Sequence, residues 1–180
     1  MRIAIFGGSF NPPHVAHQLA CAYVLATARP RVERVWMVPT FKHPFDKRLA
    51  PFADRVAMCE RAARVFGGRV EVSRVEEELG GDSYTLRTIK ALIARHGEHE
   101  FALVIGADLV AERQRWHGWP ELSTLVPFLV VGRKGAGELE MALPPVSSTD
   151  VRERIAGGRS IDALVDAGVA EYIAERGLYR

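Results

Sequence analysis

The 180-residue sequence is 48% hydrophobic and 26% charged, which excludes a disordered chain and allows one domain with a sizeable core. Its 24 basic and 22 acidic residues leave a formal net charge of +2. That excludes a broad basic face for nucleic acid or a membrane, so an acidic ligand has to be met in a local pocket.

Met1-Arg2 leads into the apolar run Ile3-Ala4-Ile5-Phe6, too short for a signal h-region or a membrane span. That run predicts a first strand over 3–6, ended by Gly7-Gly8. A helix is expected from Pro12-Pro13 to Ala28, because proline is tolerated in a first helical turn. Val32 to Val38 reads as a second strand stopped by Pro39. Thr40 to Ala50 has no periodicity and is long enough to suggest a functional loop. Pro51 opens a second helix to Phe66, Val70 to Val75 alternates as a third strand, and Glu76 to Asp82 reads as a polar turn. Ser83 is a candidate cap for a helix to Arg95. Phe101 to Ile105 and Pro127 to Val131 are apolar throughout, as strands buried on both faces are. A Gly-rich stretch, 132–143, precedes a helix opened by Ser147-Ser148-Thr149, and two further short helices complete the sequence.

Cys21 and Cys59 lie in apolar helical patterns without metal-ligand spacing. They read as small buried hydrophobes, and the cytoplasm is the simplest compartment. His96 and His99 read as surface residues. Helices alternating with apolar strands predict a doubly wound α/β fold, with a mostly parallel, Rossmann-like sheet of five or six strands. The sequence from about 148 to 180 would form a small helical part of the same domain. With the strand order 3-2-1-4-5, Gly7-Gly8 and Gly106-Ala107-Asp108 would lie side by side at the switch point, where such sheets bind ligands.

The segment Gly7-Gly8-Ser9-Phe10-Asn11-Pro12-Pro13-His14-Val15-Ala16-His17 carries the most chemistry. Two glycines after a strand let backbone approach a ligand, and a following helix offers N–H groups and its positive dipole end to an anion. His14 and His17, three apart, would share one helical face and could donate to phosphate oxygens. A plain strand-to-helix turn with two surface histidines has the same short pattern. Ser147 to Arg152 has two readings as well: an ordinary N-cap, or hydroxyls and a guanidinium gathered for a polyphosphate. Asp108 could cap a helix, or meet a ribose hydroxyl or a magnesium-bound phosphate. Lys42 to Lys47 is either a solvated charge cluster or a phosphate loop.

Taken together, these motifs resemble the nucleotidyltransferases with paired histidines. Ser83 to Thr88, Ile105 to Asp108, Trp116-His117-Gly118-Trp119 and Gly177-Leu178-Tyr179-Arg180 resemble the bacterial nicotinate-nucleotide adenylyltransferases. The resemblance runs through essentially the whole chain, with one departure: Ala16 stands where the family usually has glycine. It implies adenylyl transfer from ATP, carrying Mg²⁺, to nicotinate mononucleotide, with deamido-NAD and pyrophosphate as products. It implies His14, His17 and Arg152 as the catalytic set. Gly7, Gly8, Ser9, Phe10, Gly106, Asp108, Ser148 and Thr149 would bind ATP, with Lys47 preferred to Lys42 as the phosphate lysine. Tyr84, Thr85 and Trp116 would hold the acceptor, with Trp116 stacked on its ring and Trp119 kept for packing. No protein-held metal, nucleic acid or membrane partner is implied, and a homo-oligomer is compatible with the sequence. The alternatives are another phosphorylated acceptor, nicotinamide mononucleotide first, or a nucleotide-binding module without turnover.

Overall fold

The computed structural model describes residues 1–44, 48–132 and 143–180. The expected phosphate lysine Lys47 and nearly all of the Gly-rich 132–143 stretch lie outside the described residues.

Five parallel strands form one sheet in the order β3-β2-β1-β4-β5: β1 (Arg2–Gly8), β2 (Arg34–Pro39), β3 (Val70–Val72), β4 (Glu100–Gly106) and β5 (Phe128–Val131). This is the expected order. Period-two alternation sorts the side chains between the faces. Ala4, Val35, Met37 and Val104 pack on one side with α1 (Val15–Thr27) and α2 (Phe52–Ala63), while Ile3, Ile5, Val38, Leu103 and Ile105 pack on the other. That second face is covered by Leu86, Ile89 and Leu92 of α4 (Thr85–Arg95) and Leu122 of α5 (Trp119–Leu125). A third apolar cluster joins Met58 and Ala62 of α2 to Val151 of α6 (Ser148–Ala156) and to Val169 and Ile173 of α7 (Ala167–Arg176). The C-terminal helices are thereby anchored on α2. Among the described residues no helix is long and apolar enough to cross a membrane. Both cysteines are buried and free, and burial pushes the Cys21 thiol up to about 12.

Several boundaries differ from the sequence expectation. Strand β1 continues through Gly7 and Gly8, which pair with Val38 and Pro39. Helix α1 begins at Val15, with His14 as its extended N-cap; a residue preceding proline is driven out of helical backbone, which keeps Asn11 and Pro12 outside the helix. The expected turn at 76–82 contains helix α3 (Val75–Leu79), whose ends Val75 and Leu79 face the core and whose three glutamates occupy the first turn. Acidic residues are favourable at that dipole end. Val75 therefore belongs to α3, and β3 is shorter than expected. Helix α5 was not anticipated; its signal is Gly118 at φ 68 followed by proline in the first turn. Ser83 does not cap α4, whose N-cap is Tyr84; its Oγ instead accepts from the backbone N–H groups of Phe41 (3.0 Å) and Lys42 (3.3 Å). His96 and His99 are only partly exposed and gather around Trp36, with ring centroids 5.2 and 6.4 Å from it.

Candidate nucleotidyl-transfer site

The sheet opens between β1 and β4. Strand β1 pairs with β2 as far as Gly8–Pro39, and β4 with β5 as far as Gly106–Val131, whereas β1–β4 pairing stops at Ile5–Leu103. The two strands part toward opposite neighbours and leave a crevice at the switch point. Gly7 is exposed there, and a Cβ added to it would meet nothing within 4 Å. Gly8 has another role: a Cβ would come within 3.2 Å of the Phe10 ring. Phe10 takes φ 44 and is buried, with its ring edge-on to His17 at 5.0 Å. The Phe10 side chain thus supports His17 from beneath, which leaves only its backbone for a ligand.

The histidines are placed differently from the expectation of two residues inside a helix. His14 is the buried N-cap of α1, His17 sits in the first turn, and the rings lie 3.7 Å apart at 32°. The His14 backbone N–H donates to His17 Nδ1 at 3.1 Å. A backbone N–H can only donate, so Nδ1 is the acceptor and the neutral ring carries its proton on Nε2. The helix end is less open than a bare N-terminus, because the Val15 N–H donates to the Leu164 carbonyl at 2.9 Å. Ala16 is 2% exposed, so its methyl, at the position of the family glycine, is accommodated inside the protein.

The second motif reaches the first directly. Ser147 caps α6 by accepting from the Asp150 N–H at 3.1 Å, and the Asp150 carboxylate accepts from Ser147 N–H and Oγ–H at 2.9 and 2.6 Å. These bonds hold the Asp150 carboxyl below its ordinary range. Ser148 Oγ donates to the Pro12 carbonyl at 2.9 Å, and Arg152 Nη1 donates to the Asn11 carbonyl at 2.8 Å. Arg152 Nη2 also donates to Thr149 Oγ1 at 3.1 Å. Two helix N-termini, far apart in sequence, are thus joined across Asn11-Pro12.

The remaining expected residues lie in three places. Asp108 lies in a 3-10 turn, Ala107–Leu109, and folds back over Gly106, where a Cβ would lie 2.3 Å from its Oδ1. Tyr84 and Thr85 stand at the start of α4; the Tyr84 ring is 4.7 Å from His117, and Gly118 leaves room for Leu86. Trp116 is half-buried against the same core face as Leu86, and Trp119 packs on Phe128 at 5.2 Å. Residues 84–85 and 116–118 therefore converge, beside β4 rather than at the histidines. Lys42 is ion-paired with Asp82 at 2.9 Å. A cleft of about 430 Å³ lined by Phe41, Lys42, His43, Leu49, Phe52 and Arg55 lies alongside but includes neither His14 nor His17.

Sequence reasoning missed the groups that hold this frame. Asn11 is 2% exposed, and its Oδ1 accepts from the Ala50 N–H (3.0 Å) and the Tyr179 hydroxyl (2.9 Å). Arg55 is 1% exposed and donates to the carbonyls of Ser9 (3.0 Å), Ala50 (2.9 Å) and Phe41 (3.4 Å). Burial lowers its pKa from the ordinary arginine value. The available signal was an Asp54-Arg55 pair entering the apolar pattern of α2. Asp54 is buried too, and accepts from Tyr172 (2.7 Å) and Arg176 (3.2 Å) of α7.

This fold and junction define a nucleotidyltransferase, and the chain belongs to the cytidylyltransferase-like family, whose model matches residues 5–154. Among curated relatives, it is 48% identical over 99% of its length, and 96% of the relative's, to a probable nicotinate-nucleotide adenylyltransferase of Anaeromyxobacter sp. (strain K). It is 37% identical to that of Myxococcus xanthus, covering 99% of this chain and 95% of the relative. The fold matches Plasmodium falciparum nicotinic acid mononucleotide adenylyltransferase complexed with NaAD at TM-score 0.81 and 20% identity, over 99% of this chain and 97% of that one.

Proposed function

We propose that this nucleotidyltransferase moves the adenylyl group of ATP onto nicotinate mononucleotide, releasing deamido-NAD and pyrophosphate. One observation carries the reading: Arg152 and Ser148 bond to the backbone of Asn11-Pro12, so both motifs address one triphosphate beside the β1–β4 crevice. The names of the relatives supply the acceptor.

The mononucleotide phosphate is already a competent nucleophile. Its oxygen attacks the α-phosphorus of ATP, the bond to the β-phosphate oxygen breaks, and pyrophosphate leaves with the electron pair. Neither a covalent intermediate nor a strong base is required, so catalysis rests on positioning and on neutralising phosphate charge. His17 serves through its Nε2–H, His14 stacks beside it, and Arg152 offers the part of its fork that Asn11 and Thr149 do not use. Gly7, Gly8, Ser9, Phe10 backbone, Gly106, Asp108, Ser148 and Thr149 border the ATP, and a lysine of the 42–47 loop, Lys47 first, completes the phosphate contacts. The junction is built from imidazoles, hydroxyls and a guanidinium, and no three-ligand His/Cys/Asp/Glu cluster occurs among the described residues. In this reading magnesium enters as part of the Mg–ATP substrate. Tyr84, Thr85 and Trp116 receive the pyridine ring and its carboxylate. We treat residues 1–180 as one such domain working in the cytoplasm on these two small molecules.

The test is pyrophosphate release with Mg–ATP and a panel of acceptors: nicotinate mononucleotide, nicotinamide mononucleotide, phosphopantetheine and flavin mononucleotide. The highest kcat/KM is expected with the nicotinate form. Equal or greater activity with the amide overturns that acceptor, and saturable ATP binding without turnover on any acceptor overturns the enzyme reading.

A further inference from the structure

Tyr179 lies far outside the two nucleotide motifs, yet its side chain reaches the first of them. Gly177 ends α7 at φ 61, its N–H donates to the Ala174 carbonyl (3.3 Å), and the next N–H, of Leu178, donates back to Ile173 (3.1 Å). This glycine-centred reversal turns the chain back on itself. Leu178 and Tyr179 pack against the cluster that joins α2 to the C-terminal helices. Tyr179 itself takes φ 65, an uncommon conformation for an aromatic residue that its surroundings have to hold in place. Its hydroxyl donates to Asn11 Oδ1 at 2.9 Å, the same oxygen that accepts from the Ala50 N–H. The carbonyl of that same Asn11 accepts from Arg152.

We infer that Tyr179 is a positioning residue for adenylyl transfer, acting through Asn11 to fix the carbonyl that aims Arg152. The inference rests on reading the junction as the transfer site. Burial raises the phenol pKa, so the hydroxyl remains a donor throughout the neutral range. A generic strap would serve stability alone. The same tail carries a natural control in Tyr172, which makes a comparable bond to Asp54 and none to Asn11.

The experiment compares Tyr179→Phe, Tyr172→Phe, Arg152→Ala and the Tyr179→Phe/Arg152→Ala double variant, using pyrophosphate release and thermal melts. Tyr179→Phe is expected to lower kcat about five- to tenfold with KM for the mononucleotide within about twofold. Tyr172→Phe is expected to lower the melting temperature and leave kcat unchanged. In the Arg152→Ala background the Tyr179 substitution is expected to cost less than about twofold more, as coupled neighbours do. Unchanged kcat in Tyr179→Phe, or an undiminished loss in the Arg152→Ala background, overturns the inference. Should the wild type release no pyrophosphate, the functional reading fails separately. Tyr179 is then judged by ATP affinity, where a loss of about threefold or more sustains the inference and an unchanged value overturns it.

Discussion

The protein presents two helix N-termini to one space and closes both with reciprocal N-cap–N3 contacts made from different side chains. At α6 a Ser147–Asp150 capping box satisfies the helix end with short polar side chains. At α1 the cap position is held by a buried histidine, with no acidic residue in the first turn and with the Val15 N–H closed off by Leu164. An imidazole is a poor cap compared with Ser, Thr, Asp or Asn. The difference teaches that α6 is started for stability and then lends Ser148 and Arg152 to the junction. Helix α1 makes the same kind of closure from two imidazoles, His14 and His17, whose rings lie 3.7 Å apart at 32°.

That contrast breaks most readily at His17. We predict that His17→Ala lowers turnover about 10²- to 10³-fold, the range for removing one donor to developing charge, while mononucleotide binding changes far less. Steady-state kinetics with separate measurement of acceptor affinity checks this, and unchanged turnover removes His17 from the chemistry. A smaller loss, about 10- to 100-fold, is expected for Arg152→Ala, with Arg152→Lys between it and wild type. Lysine keeps the charge but cannot bond Asn11 and Thr149 at once through a planar fork. If lysine restores full kcat, the fork geometry is irrelevant and only charge matters at α6.

The two regions were also unequally legible. The Ser147/Asp150 spacing is local and could be read from the sequence, as could the α/β class implied by apolar strands alternating with helices. The His14 cap could not, because the helix end it opens is closed in part by Leu164, a residue remote in sequence that accepts from the Val15 N–H. The roles of Asn11, Arg55 and Tyr179 could not be read for a related reason: each makes a bond to a backbone or amide group more than 35 positions away. Periodicity reports which face a residue occupies but not which carbonyl it finds there. Trp116 and Tyr84 were chosen by resemblance, and their convergence beside β4 needed the fold.

The smallest effect sharpens the contrast from the α6 side. Ser147→Ala is expected to lower folding stability by about 1 kcal/mol, as for a lost N-cap, with kcat within about twofold of wild type. The cap also carries a pH signature of defined sign. Ser147 holds the Asp150 carboxyl below its ordinary value of 3.8. A depressed folded-state pKa gives stability that is present above the unfolded value and is lost as pH falls through the folded one. The gap between wild type and Ser147→Ala in urea melts should therefore be full at pH 7 and shrink below about pH 4 as the carboxylate is protonated. A gap that stays constant into that acid range would mean that the hydroxyl–backbone bond alone makes the cap. Asp150 would then contribute nothing to the difference between the two helix starts.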